Sequence, residues 1–257
     1  MKFRKILLPL FFAAFLYSTP LLAEGTQMIF WYPGEAGSTE IAQPTLDMLF
    51  DYINKRVPEA RITGRYFNTY AAGLEFIKAR HPSLGILSLA AFDASLGKLG
   101  RNSVLLKTRP LPHGKTVEKY VIVGKGPPAK EWNVPLYTKQ PLTEAFVKKY
   151  IVPEAAEPKI SAVPAIMALL KELSTGKMNG GAILQPMEYW TLKNLNQPWT
   201  KELEVWKTSA DIPTAPLILF GETSPAIEKI KQVLLNMGAD PEGAEILREL
   251  RLKGFDH

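Results

Sequence analysis

The stretch 84-LGILSLAAFDASLGKLG-100 decides how this chain is read. Leu84–Leu89 is a compact apolar run with one Ser in it, the pattern of a short buried strand. It passes at once into a small-residue, helix-like segment that ends at Gly100. About a hundred residues later the pattern returns as 181-GAILQPMEYWTLKNL-195. Two strand-then-helix junctions with polar residues at the seam predict two α/β units of similar build.

Working outward from the first junction, Gln27–Trp31 is an apolar strand candidate followed by the loop 32-YPGEAGST-39. A helix follows, with Ile41, Leu46, Leu49, Phe50 and Ile53 close to one face, and Ser38 or Thr39 at its N-cap. Pro58 ends it. Arg61–Phe67 is the next strand, and Asn68-Thr69 caps a helix that runs to about Arg80 and stops at His81-Pro82. Strands alternating with helices predict a largely parallel sheet.

Residues 103-SVLLKTRPLPHGKTVEKYVIVGKG-126 change character: two strands with a Pro-containing connector and no helix between them. This predicts a crossover into a second lobe. That lobe carries the pairs Val134–Tyr137 with Leu142–Tyr150, Lys159–Ser161 with Ala165–Thr175, and Gly181–Leu184 with Met187–Asn196, then the strand Leu203–Lys207. Ser209–Pro216 is the return crossover, and Leu217–Phe220 rejoins the first lobe. Two helices close the chain, one capped by Ser224, the other opened by Asp240-Pro241 and terminated by Gly254. The expected fold is α/β and two-lobed, with a ligand cleft between the lobes. Its divisions are 24–110 for the first part of lobe 1, 111–210 for lobe 2, and 211–257 for the return to lobe 1. A single continuous doubly wound sheet is the alternative. The two Pro-rich connectors bracketing a segment with its own repeats favour two lobes.

Residues 1–23 are read as a secretory signal peptide. Lys2, Arg4 and Lys5 precede the apolar run Ile6–Leu16, and Ala23 offers a small residue for cleavage before Glu24. The run is shorter than the roughly 20 residues of a membrane span. Removing the leader takes away three positive charges, which leaves 28 basic residues against 25 acidic and a net charge of +3 in place of +6. The basic residues are scattered, so the charge pattern excludes a nucleic-acid footprint. The absence of Cys removes disulfides and thiolate metal sites.

The three histidines, His81, His113 and His257, form no metal-ligand spacing and no evident dyad. No nucleophile elbow, phosphate loop or dinucleotide fingerprint is present. Paired carboxylates such as Glu35 and Glu40 read as solvated surface. No metal, cofactor or catalytic residue is therefore expected. What remains are the seams, since parallel α/β sheets bind ligands beyond the carboxyl ends of their strands. The candidate ligand-binding residues are Tyr32, Ser38, Thr39, Thr69, Tyr70, Ser88, Thr138, Gln185, Glu188 and Tyr189, with Asn68 and Gln140 beside them. Each Ser or Thr there also serves as an ordinary N-cap, so the reading rests on several seams facing one cleft.

Four stretches carry a family resemblance: 29-IFWYPGEAGSTEIAQPTLDMLFDYINK-55, 84-LGILSLAAFDA-94, 180-GGAILQPMEYWTLKNL-195 and 240-DPEGAEILRELRLKGF-255. In these the chain resembles the periplasmic substrate-binding components of ABC importers, in the branch that binds phosphonate, phosphite and phosphate. The resemblance implies a class II-like periplasmic-binding-protein fold and a periplasmic monomer. It implies capture of a small, anionic, phosphonate- or phosphate-like ligand by hinge closure, and a membrane permease as partner. A sensor kinase reading the closed form is the alternative partner, and an enzyme on the same fold is the third reading. The family's Ser/Thr-rich helix start in the second lobe corresponds here to 136-LYTKQPLTEAF-146, which holds only Thr138 and Thr143.

Overall fold

The computed structural model describes residues 25–35, 37–128 and 132–257. The expected leader and its cleavage point lie outside the described residues. The first half builds β1 (Gln27–Trp31), α1 (Thr39–Arg56), β2 (Thr63–Phe67), α2 (Tyr70–Arg80), β3 (Leu84–Leu87) and α3 (Leu89–Ser95). β1 lies between β2 and β3, parallel to both. Alternation along these strands sorts their side chains to two faces. Met28, Phe30, Leu84 and Ile86 face α1 and the C-terminal helices, while Ile29, Trp31 and Leu87 pack toward Ile77 of α2 and Ala91 of α3. Both faces are covered, which is why these strands read as apolar runs without polar alternation.

β4 (Asn102–Pro110) then leads into a short strand β5 (Val117–Glu118), and β6 (Val121–Lys125) opens a second sheet. That sheet continues with β7 (Leu136–Thr138), α4 (Glu144–Tyr150), β8 (Ile160–Ala162), α5 (Ile166–Thr175), β9 (Gly181–Leu184), α6 (Pro186–Asn194) and β10 (Leu203–Thr208). Ile122, Leu136 and Ile183 pack on Phe146 and Val147 of α4. On the other face Val121, Val123, Ala182 and Leu184 pack on Leu169, Leu170 and Leu173 of α5. β11 (Ile212–Pro213) returns the chain, β12 (Pro216–Phe220) re-enters the first sheet beside β3, and α7 (Pro225–Asn236), α8 (Pro241–Glu249) and β13 (Leu252–Asp256) follow.

The result is a two-lobed α/β protein. Its first sheet has the order β13-β4-β12-β3-β1-β2 and its second β10-β6-β9-β7-β8. The two connectors pair antiparallel as a ribbon of β5 with β11, in which Glu118 stands opposite Ile212. Side chains pin the ribbon to both sheets. Thr214 Oγ1 donates to the Thr108 carbonyl at 2.6 Å, Thr108 Oγ1 donates to the Ala215 carbonyl at 2.9 Å, and the Tyr120 amide donates to Ser209 Oγ at 3.0 Å.

Three expectations change. The sheets are parallel only in part: β12, β4 and β13 join the first sheet antiparallel, as do β6 and β10 the second. Strands that enter a sheet through a connector, without a helix crossover, are free to run against their neighbours. Gly254 does not terminate α8. That helix ends at Glu249, and Gly254, at φ 155°, lies within β13 on the edge of the first sheet. Ile41 is 74% exposed, outside the buried face formed by Leu46, Leu49, Phe50 and Ile53.

Candidate ligand-binding site

A cavity of about 450 Å³ lies between the two sheets. The first sheet's side contributes Tyr32, Glu35, Tyr66, Ser88 and Thr108, the second contributes Lys139, Gln140, Gln185 and Met187, and the connector contributes Glu118 of β5 and Tyr120 just after it. The turn from Glu249 to Leu252, between α8 and β13, closes another side.

Each wall is held by local chemistry. The Tyr32 amide donates to the Phe67 carbonyl at 2.9 Å and the Gly34 amide to the Asn68 carbonyl at 3.1 Å, so the loop after β1 is tied to the end of β2. Ser88 ends β3 and caps α3, its Oγ accepting from the Ala91 amide at 3.2 Å. Gln185 ends β9 and caps α6. Glu188 Oε2 accepts from the Gln185 amide at 2.9 Å in a capping box, while its buried Oε1 has no partner among the described residues. Gln185 Nε2 donates to Gln140 Oε1 at 3.0 Å, which ties the second lobe's two cavity-lining amides together.

Two ion pairs among the described residues join the lobes directly, and one is Lys149 Nζ of α4 with Asp93 Oδ1 of α3 at 2.6 Å. In the other, Lys139 Nζ meets Glu35 Oε2 at 2.7 Å, both partly buried. Beside this pair Gly34, at φ +83°, approaches the other lobe so closely that a Cβ there would lie 2.5 Å from Pro141 Cδ and 2.9 Å from the Lys139 carbonyl oxygen. A second hollow of about 380 Å³ is lined by Pro33, Tyr70, Lys98, Pro141 and Thr143, and it shares Ser88 and Gln140 with the larger cavity.

The electrostatics of the larger cavity are acidic. Glu118 is raised to about 7, chiefly by burial, with a hydrogen bond from Tyr120 pulling the other way. Burial raises Glu188 too, opposed by its backbone hydrogen bond and by Lys139. Tyr66 is pushed up to about 12 by burial and Glu35, and Tyr32 and Tyr120 rise further through burial and the neighbouring carboxylates. All three phenols stay protonated and act as donors at neutral pH.

Of the ten residues singled out in the sequence, Tyr32, Ser88 and Gln185 line the larger cavity. Tyr70 lines the smaller hollow instead. Its hydroxyl is engaged within its own lobe, by Ser95 Oγ at 2.8 Å and the Ala94 carbonyl at 3.1 Å. Ser38 stands at the N-cap of α1 without a side-chain capping bond, and Thr39 Oγ1 donates to the Tyr66 carbonyl at 2.8 Å. Thr69 caps α2 by accepting from the Ala72 amide. Thr138 is buried at the end of β7, Glu188 is committed to its capping box, and Tyr189 packs with the α5 side of the second core. None of these six forms part of either wall.

Sequence reasoning missed Glu118, Tyr120, Tyr66 and Lys139. It read Glu35 as solvated surface, whereas Glu35 pairs across the lobes with a residue 104 positions away. Glu118 gave one signal: an acidic residue in a connector already read as a crossover.

Comparison with known proteins bears on the fold and the family. The stretch 165–257, from the start of α5 onward, matches the sequence model of a family described as ABC transporter, phosphonate, periplasmic substrate-binding protein. It includes two of the four stretches that carried the resemblance. No curated protein matches the chain in sequence. A Xanthomonas citri protein solved with chloride shares 13% identity at a TM-score of 0.68, covering 90% of this chain and 91% of that one. A Prochlorococcus marinus protein in complex with methylphosphonate shares 11% identity at 0.63, with 90% and 91% covered. A binding-protein component of an ABC phosphonate transporter from Pseudomonas aeruginosa shares 12% at 0.61, with 90% and 81% covered. At these identities the structural likeness speaks for the two-lobed fold.

Proposed function

We propose that this protein is the periplasmic solute-binding component of an ABC importer. It captures a small anionic ligand of the phosphonate or phosphate type between its lobes and presents the closed form to a membrane permease. The observation that carries this reading is the cavity of about 450 Å³ walled by both sheets and by the two strands that connect them. A site of that size matches a small solute, and a two-stranded connector allows the lobes to rotate about it. The family match over 165–257 supports the same assignment, and it describes transport binding proteins, not enzymes. No bond is made or broken: Tyr32 and Gln185 orient the ligand against a wall that includes Ser88 while closure excludes water.

Delivery to a permease requires export. No helix among the described residues is long and apolar enough to cross a membrane. The protein is expected to begin at Glu24 after cleavage and to act as a monomer in the periplasm. Native mass spectrometry of freshly purified protein tests the reading by weighing any co-purifying solute. Calorimetry with methylphosphonate and inorganic phosphate, together with small-angle scattering for closure, completes it. Absence of a bound solute, of heat and of compaction would overturn it.

A further inference from the structure

The charged groups around the cavity do not balance. Lys139 and Glu35 neutralise each other at 2.7 Å. Glu249 and Arg251 belong to the exposed turn at its margin. Glu118 is left in the wall as a carboxylate with no ion pair and no basic group against it among the described residues. The groups coupled to it are Tyr120 from its own connector and Tyr32 from the loop after β1, and two other acids, Glu35 and Glu188, act with it on the same phenols. These are phenols and further acids. Glu118 is partly buried; a carboxylate drawn partly out of water without a counter-charge is costly, and a cation arriving with the ligand removes that cost.

The cleft is also divided. The contact of Gly34 with Lys139, Gln140 and Pro141 fills the space beside the start of the second lobe's loop. The larger cavity therefore lies toward the connecting ribbon, whose Glu118 pairs with Ile212 in the backbone. A metal ion fits poorly, because a hard cation wants six or more oxygens from several donors. No group of three or more His, Asp or Glu side chains among the described residues is placed to hold one.

We propose that Glu118 is the specificity residue of this cavity, and that it holds a cationic nitrogen, an ammonium or guanidinium, carried by the bound solute. The inference rests on the solute-binding reading above and narrows it to a ligand with a positive group as well as any oxyanion. Because Glu118 stands on the ribbon between the lobes, the cation is gripped at the hinge, and Tyr32 and Tyr120 offer hydroxyls beside it. The titration of Glu118 fits this role: near neutral pH a cation draws off its proton, whereas an anion at the same place keeps the proton on.

The experiment uses a matched pair of probes, methylphosphonate and aminomethylphosphonate, with arginine as a cation lacking phosphorus. Calorimetry on full-length mature protein is run for the wild type and Glu118→Gln, with circular dichroism to confirm the fold. The expected result is that the amine improves binding by about tenfold or more, the scale of one charge-assisted hydrogen bond, and that Glu118→Gln abolishes this preference. The excess of this preference in the wild type over Glu118→Gln is expected to grow from about pH 5.5 to about pH 8.5, as Glu118 ionises, the variant carrying only the titration of the probes themselves. Equal binding of the two phosphonates overturns the inference and leaves the solute-binding reading intact. Binding of arginine alone, lost in Glu118→Gln, sustains the inference and overturns the phosphonate class. Binding of none of the three overturns the inference. If Glu118→Gln fails to fold, Glu118→Asp in its place, which withdraws the charge by one methylene, is expected to weaken the preference without removing it.

Discussion

The seam at Ser88 and the seam at Gln185 begin alike and end differently. Both follow four-residue strands with every residue buried, β3 and β9, and both line the cavity. At Ser88 the hydroxyl is occupied by the Ala91 amide, and the helix behind it is a single short segment of seven residues. At Gln185 the capping is done from inside the helix by Glu188, and the Gln185 side chain is turned to Gln140 and the cavity. One seam uses its polar side chain to start a helix, and the other keeps it for the cleft. The same strand-then-helix pattern therefore supplies two kinds of wall. Which kind results depends on whether a residue further along the helix takes over the cap.

The strongest test of the likeness is in the strands. Leu87 and Leu184 are both fully buried. Leu87→Ala and Leu184→Ala are each expected to cost about 2–5 kcal/mol in urea unfolding. A small loss for either would break the equivalence of the two junctions. Next is the loop that faces them. Tyr32→Ala is expected to weaken solute binding by about 1–3 kcal/mol, while Tyr70→Ala, whose hydroxyl is occupied by Ala94 and Ser95, leaves calorimetric affinity near the wild-type value. Equal losses would place the ligand across both hollows. The seams themselves divide smaller effects. Ser88→Ala is expected to lower thermal stability by about 0.5–2 kcal/mol as a lost cap, whereas Gln185→Ala lowers affinity more than stability. The reverse pattern would exchange their roles.

Two weaker effects sharpen the picture of the closed lobes. Lys139→Met, which removes the ion pair with Glu35, is expected to change affinity by about 1 kcal/mol or less, most at low salt. A change that ignored salt would show packing at Gly34, and not the Lys139–Glu35 charge pair, to be what matters at this contact. Glu118, raised from 4.5 to about 7, binds its proton more tightly folded than unfolded. Its stabilising contribution is thus full below about pH 4.5 and is lost as pH rises through 7. The ligand-free protein is expected to lose some melting temperature over that window, and Glu118→Gln is expected to flatten the slope. An unchanged slope would mean that another group titrates there.

Much of the fold was legible because burial on both faces forces apolar runs. Met28–Trp31, Leu84–Leu87 and Gly181–Leu184 stand where their composition placed them, and Thr69 and Ser224 accept from helix amides as their positions suggested. The site was legible in part. Tyr32, Ser88 and Gln185 were readable as the first polar or aromatic residues after buried strands. Tyr189 and Thr138 were drawn from the same kind of seam, yet both lie in the packing of the second lobe. A seam residue one turn into a helix, or at the last position of a strand, turns toward core or cavity by a rotation that spacing does not encode.

By itself the sequence determined the local units: where strands and helices begin, that two connectors join two sets of them, and that the polar residues gather at the seams. Each of these follows from interactions among residues close in the chain. The tertiary structure alone decided which seams meet, that residues 252–256 add a sixth strand to the first sheet, and that Glu35 pairs with Lys139. It also set Glu118, an ordinary acidic residue in a connector, into the cavity wall without a counter-charge. Burial and pairing are properties of what surrounds a side chain, and here those surroundings come from segments on two lobes and the ribbon between them.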